Sequence, residues 1–72
     1  MKLIKGKKYI EYIINIIPND NLIGEKLLAL GVYEGAKISI KQFLPGKGPL
    51  IIKVGTGEVA LSYEIANKIE VE

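Results

Sequence analysis

Apolar and polar residues alternate through the second half of the chain, a pattern typical of β-strands with one buried and one solvated face. Ala36, Ile38 and Ile40 alternate with polar residues, and Leu50–Val54 is a second apolar run beyond a connection rich in glycine and proline. A glycine-rich turn follows that run, and one helical turn is expected within residues 63–68. The pattern therefore predicts four strands in this half, at residues 36–41, 50–54, 58–63 and 69–71.

The first half opens with a β-branched segment, residues 9–17, that predicts the first strand. Alternation gives this strand a mixed face and a fully apolar face, the latter made of Ile10, Tyr12, Ile14 and Ile16. Pro18 ends the strand because proline has no amide hydrogen to donate. Asn19, Asp20 and Asn21 then supply turn and N-cap groups for a helix.

Residues 21–30 are the one good helix candidate, because Ile23, Leu27 and Leu30 recur on one helical face. We therefore expect Leu30 to be buried, and its replacement by aspartate to unfold or badly weaken the domain. Gly24 is unusual here, since a glycine inside a helix costs about 1 kcal/mol relative to alanine. A close approach of neighbouring backbone would explain it, and a frayed first turn is the favoured explanation.

Two glycines predict how the chain leaves this helix. If Gly31 follows the helix cap, its positive φ permits a Schellman turn in which Val32 packs back on Leu27. Gly35 suits the last position of a tight turn that leads to Ala36 and the second strand.

About five short strands with one α-helix between strands one and two predict a mainly β fold, a small SH3-like barrel. Closure is favoured because a few short open strands would expose their edges and enclose no core. A chain of 72 residues has room for a single domain, residues 1–72.

The composition is 49% hydrophobic and 7% aromatic, so the core must be built from Ile, Leu and Val. This richness also predicts apolar residues at the surface. They would form either a partner-binding patch or scattered exposed aliphatic side chains.

The sequence offers few groups for catalysis or metal binding. Cysteine, histidine and arginine are absent, Met1 is the sole methionine, and the carboxylates are spread without ligand spacing. Ser39 and Ser62 have no imidazole to activate them. We therefore predict no enzyme activity, no cofactor and no metal site.

The net charge of +2 comes from ten lysines and eight acidic residues. Lysine without arginine is weak evidence for nucleic-acid binding. If strands two and three pair, Lys37, Lys41 and Lys53 share an outer face. That face is either an ordinary solvated surface, which is favoured, or a contact for RNA, a membrane surface or an acidic partner.

The first residues are interrupted too often by lysine to form a signal peptide. No apolar run approaches the roughly 20 residues that span a bilayer. We therefore expect a cytoplasmic protein.

Several motifs together resemble the FeoA family, small cytoplasmic accessory proteins of bacterial ferrous iron transport. The resemblance covers nearly the whole chain, and its motifs are the segment 26–31, Gly35, the hairpin from Pro45 to Pro49, the pair Ala60 and Leu61, and the ending 66–71. The chain departs from the family where Ser62 replaces a frequent basic residue and Gly48 a frequent acidic one.

The resemblance implies a non-enzymatic adaptor with an SH3-like barrel that contacts the cytoplasmic part of a membrane GTPase transporter for ferrous iron. It suggests a partner surface on the helix and the following turn, comprising Lys26, Val32, Tyr33 and Glu34. It also implies mainly architectural roles for Leu27, Leu30, Gly31, Gly35, Pro49 and Leu61. The alternatives are a small basic barrel that binds RNA or the ribosome, and a free-standing relative of the C-terminal barrel of iron-dependent repressors.

Overall fold

Five antiparallel strands form one sheet in a computed structural model that describes residues 1–18 and 20–72. Its elements are a 3-10 turn at Leu3–Lys5, β1 (Glu11–Ile16), α1 (Asn21–Ala29), β2 (Lys37–Phe43), β3 (Leu50–Val54), β4 (Gly57–Leu61), α2 (Tyr63–Ala66) and β5 (Glu70–Val71). The strand order is β4-β3-β2-β1-β5. The predicted insertion of the helix between strands one and two is confirmed.

The alternation in β2 and β4 buries one face of each strand, as predicted, and the returning strand β3 buries Leu50 and Ile52. Ile38 and Ile40 of β2 are buried and pair with Val54 and Ile52 of β3. The register shifts between Ile40 and Gln42, and such irregularities bend a strand and increase its twist. All five strands contribute to one aliphatic core, whose members are Leu3, Ile14, Leu27, Val32, Ala36, Ile38, Ile40, Leu50, Ile52, Leu61, Ala66, Ile69 and Val71.

The apolar face predicted for β1 is wrong at both of its ends. Ile14 is buried and Tyr12 half-buried, but Ile10 and Ile16 are exposed. A register shift between Ile14 and Ile16 interrupts the alternation, so that Ile17 packs against the core instead.

The N-terminal segment has a structural role that the sequence analysis did not predict. Leu3 is fully buried, and its amide donates to the carbonyl of Ile69 at 2.8 Å. The terminal ammonium of Met1 donates to the carbonyl of Val71 at 2.9 Å. The two ends of the chain are therefore joined beside β5.

The strand predicted at residues 58–63 corresponds to β4, which ends two residues earlier, at Leu61. The hydroxyl of Ser62 accepts from the amide of Ile65 at 3.2 Å and caps α2. The helical turn expected within residues 63–68 is confirmed at Tyr63–Ala66.

Candidate functional site

Helix α1 begins and ends with well-formed caps. The Asp20 carboxylate accepts from the amides of Leu22 at 3.0 Å and Ile23 at 3.2 Å, which are unpaired donors at a helix start. At the other end, the amide of Val32 donates to the carbonyl of Leu27 at 2.8 Å. Gly31 has a φ of +86° and its amide donates to Leu28, which confirms the Schellman turn. Of the residues expected to supply turn and N-cap groups, Asp20 is the N-cap, and Asn19 lies outside the described residues.

The turn after the helix is fixed against β1. The amide of Ala36 donates to the carbonyl of Tyr33 at 3.0 Å, so Gly35 occupies the third position of the turn and not the predicted last one. Its φ of +92° is what a type II turn requires at that position. The amide of Gly35 also donates to the carbonyl of Ile14 at 2.8 Å. Tyr33 and Glu34 are thereby held beside the end of β1.

Few side chains anchor α1 to the sheet. Leu27 is buried and Ile23 is half-buried against the core. Leu22 is 71% exposed, Leu28 61% and Leu30 49%. The predicted burial of Leu30 is therefore wrong: it is the C-cap residue, with φ of −89° and ψ of 0°, directly before the turn at Gly31, and it stays half exposed. The helix presents an apolar surface that the barrel does not cover.

The structure places the four predicted partner residues in different environments. Val32 is fully buried under the Schellman turn, so it supports the surface residues from inside the core and cannot itself contact a partner. Tyr33, 47% exposed, and Glu34 lie together at the surface. Lys26 is exposed on the other flank of the helix, beside Leu27 and Leu30.

A shallow groove of about 520 Å³ lies between α1, the end of β1 and the turn at Tyr33. We call it the helix groove, and its lining residues are Ile16, Ile17, Pro18, Asp20, Gly24, Glu25, Leu28, Tyr33 and Glu34. Of the four predicted partner residues, Tyr33 and Glu34 belong to this lining. The apolar residue Leu28, outside the face formed by Ile23 and Leu27, is a sequence signal that could have added the helix wall of this groove, but not the residues from β1.

Neither explanation offered for Gly24 is supported. Among the residues that the structure describes, a Cβ at this position would meet only the Pro18 carbonyl oxygen, at 4.0 Å, so no backbone described there requires glycine. Its amide donates to the carbonyl of Asp20 at 2.7 Å, so the first turn is formed. The missing side chain leaves the helix groove open at this point.

A smaller groove of about 190 Å³ follows the opposite flank of α1, against β4 and α2. It is lined by Ile23, Lys26, Leu27, Leu30, Ala60, Leu61, Ser62 and Ile65. Lys26 is the charged residue of this lining. The two flanks of one helix therefore differ in charge.

The lysines expected on the outer face of the sheet are accompanied by carboxylates. Lys37 and Lys53 line one shallow depression together with Glu11. Lys41 donates to Glu58 at 2.6 Å, and Glu58 is also the cross-strand neighbour of Lys53. The hydrogen bond and charge of Glu58 raise the pKa of Lys41 above its ordinary value. The mixture of charges favours an ordinary solvated face over an extended basic one.

The remaining motif residues lie away from the helix groove. Leu61 is buried at the end of β4, in keeping with an architectural role. Pro49 is exposed, and its carbonyl accepts from the amide of Leu44 at 3.1 Å to close the hairpin between β2 and β3.

Two further observations concern residues 1–18 and 20–72. No group of three or more histidine, cysteine or acidic side chains lies in a position to hold a metal ion there. Within the same residues, no helix has the length and apolar character that crossing a bilayer requires. The helix groove offers apolar contacts and carboxylates, which suit the binding of another polypeptide segment.

Comparisons with known proteins agree with the resemblance seen in the sequence. The model of the FeoA domain family matches residues 3–72. A search among curated proteins finds no match. A crystal structure of an iron uptake regulatory protein, FeoA, is 26% identical, covers 100% of this chain and 95% of its own, and gives a TM-score of 0.88.

Two further solved structures are similar. The solution structure of iron(II) transport protein A from Clostridium thermocellum is 30% identical with a TM-score of 0.91, over 100% of this chain and 44% of that one. The zinc complex of FeoA from Stenotrophomonas maltophilia, described as an SH3 domain protein, is 22% identical with a TM-score of 0.80, over 100% and 89% of the two chains. The predicted SH3-like fold is thus confirmed.

Proposed function

This chain belongs to the FeoA domain family, and we propose that it is a non-enzymatic adaptor that binds the cytoplasmic part of a membrane GTPase transporter for ferrous iron. The family is associated with ferrous iron transport, and the names of two solved relatives refer to iron uptake and to iron(II) transport. On this proposal the chain works in the cytoplasm and supports assembly or activity of the transporter by direct contact.

The observation that carries the proposal is the uncovered apolar surface of α1. Leu28, which lies in the helix groove beside Tyr33, is 61% exposed on a helix that is anchored mainly through Leu27. Exposed apolar surface of this kind usually marks an interaction site, because it is costly to leave in water. The helix is also an insertion between β1 and β2, so it adds this surface without being required for strand pairing.

Binding suits these residues better than catalysis. The whole sequence contains no histidine or cysteine, and the helix groove combines aliphatic and aromatic side chains with carboxylates. A general acid or base needs a pKa matched to its task and a reacting group within hydrogen-bond reach. An apolar groove with charged margins is instead the usual form of a protein-binding surface.

A pull-down from the detergent-solubilised membranes of the host tests this proposal. The tagged chain should recover the transporter GTPase, and nuclease treatment of the lysate should leave that recovery unchanged. Leu28→Gln should abolish recovery, while Leu22→Gln, at a still more exposed helix leucine outside the helix groove, should retain it.

Two outcomes would contradict the proposal. One is failure of the folded wild-type chain to recover the transporter. The other is recovery of ribosomal proteins or RNA that nuclease abolishes, which would favour the small basic barrel instead.

A further inference from the structure

The apolar floor of the helix groove is bordered by charges of a single sign. Ile16, Leu28 and Tyr33 provide exposed apolar surface, and the charged residues of the lining are Asp20, Glu25 and Glu34. None of the ten lysines of the chain lines this groove, although the net charge of the whole chain is +2. The groove is therefore an acidic region on a mildly basic molecule.

We propose that the helix groove binds an amphipathic segment of a partner in which lysine or arginine residues flank an apolar face. This inference rests on the proposed function, because it names the chemistry of the segment that the adaptor recognises. The apolar face of the segment packs on Leu28 and Tyr33, and its cations lie opposite Glu25 and Glu34.

The carboxylates are available for such a partner. Within the described residues, the ion pairs join Lys41 to Glu58 and Lys68 to Glu64, and neither involves the groove. Glu25 and Glu34 are exposed and make no ion pair there. Asp20 is partly satisfied, since its Oδ1 accepts from two amides of α1. The groove thus presents the two glutamates, which make no ion pair with any described residue, beside the carboxylate of Asp20.

The charge difference between the two flanks of α1 determines which of the two grooves suits a basic segment. The smaller groove beside β4 has Lys26 as its charged residue, so it would repel a basic segment. Complementary charge raises association rates and rejects wrong partners, while the apolar contacts supply most of the affinity. A basic amphipathic segment therefore fits the helix groove and not its neighbour.

The geometry also accommodates the segment without rearrangement of the fold. The turn that carries Tyr33 and Glu34 is fixed to β1 by the bond from Gly35 to Ile14. The opposite wall is the capped helix α1, and Gly24 adds no side chain between the walls. Both walls are thus held in place before binding, which lowers the entropic cost of association.

A titration of the isotope-labelled protein with a synthetic leucine–lysine peptide of amphipathic helical pattern tests the inference by NMR. The backbone amides of the groove residues should shift, and the affinity should fall as salt is added. The matched leucine–glutamate peptide should leave the spectrum unchanged. Shifts spread over other surfaces, or equal binding of the two peptides, would overturn the inference.

Variants identify which groups are responsible. The double variant Glu25→Gln and Glu34→Gln should weaken peptide binding roughly tenfold, as loss of two rim charges implies. Leu28→Gln should weaken it at least as much. The matched controls Glu64→Gln and Leu22→Gln change exposed residues outside the groove and should bind like wild type. Unchanged binding by the double glutamine variant would also overturn the inference.

The same double variant separates this inference from the proposed function. If wild type and the double variant bind the cytoplasmic part of the transporter equally well, the adaptor function stands and the charge-based recognition fails. If the peptide occupies the groove but the transporter does not bind wild type, the recognition stands and the adaptor function fails.

Discussion

Replacement of Gly24 by alanine is expected to stabilise the protein and to weaken binding in the helix groove. Gly24 lies inside α1, and its amide donates to the carbonyl of Asp20 at 2.7 Å. A Cβ there would be 4.0 Å from the Pro18 carbonyl oxygen, which is ordinary van der Waals contact. The substitution therefore adds helix propensity without a clash with any residue that the structure describes.

The magnitude follows from helix propensity. Alanine is favoured over glycine by about 1 kcal/mol inside a helix, largely because the unfolded chain loses less freedom on folding. For a domain of this size, about 1 kcal/mol raises Tm by roughly 4–8 °C. Thermal and urea unfolding followed by circular dichroism measure the change. Ala29→Gly, also in α1 and exposed, is the reciprocal control and should lower stability.

The same methyl group enters the helix groove, so Gly24→Ala should bind the leucine–lysine peptide more weakly than wild type. A gain in stability together with a loss of affinity would show that glycine is needed by the groove and not by the fold. Unchanged or lower stability would refute the reasoning from helix propensity. Higher stability with unchanged affinity would refute the role assigned to Gly24 in the groove.

Five further substitutions test the packing and the backbone conformation. Leu27→Ala should lower the free energy of unfolding by about 2–4 kcal/mol, because Leu27 is buried. Leu30→Ala should lower it by under about 1 kcal/mol, because Leu30 is half exposed. Equal losses for the two variants in urea unfolding would contradict this packing. Tyr9 is 70% exposed and has a φ of +65°, a backbone conformation that strains residues other than glycine. Tyr9→Gly should therefore be more stable than Tyr9→Ala by about 1 kcal/mol in urea unfolding. The reverse order would contradict backbone strain at this position. Gly31→Ala should lower the free energy of unfolding by at least about 1 kcal/mol, because alanine is strained at this positive φ and its Cβ would lie 3.0 Å from Cγ1 of Val54. A neutral effect would argue against the Schellman turn.

Features set by neighbouring residues were predicted well from the sequence. The alternation in β2 identifies Ile38 and Ile40 as buried because side-chain direction in a strand depends on local backbone geometry. The Schellman turn at Gly31 was likewise predicted, since its bonds lie within six consecutive residues. These features depend little on the rest of the fold.

Features set by distant contacts were missed. Leu3 is buried because its segment binds Ile69, near the other end of the chain. The exposure of Ile16 follows from a register shift against β5, which no local pattern reveals. Helical periodicity placed Leu30 in the core, but its position at the cap leaves it half exposed. The helix groove joins α1 to β1 and a turn, so most of its lining could be found only from the structure.

The affinity of the chain for the purified cytoplasmic part of the ferrous iron transporter, measured by titration calorimetry, tests the central claim most directly. Wild type and Leu22→Gln should bind alike, and Leu28→Gln should bind at least about tenfold more weakly, a loss of about 1.4 kcal/mol typical of a central contact. All three should have the same unfolding midpoint within error. Equal affinities for the three proteins, or no binding by folded wild type, would contradict the claim that the helix groove is the partner site.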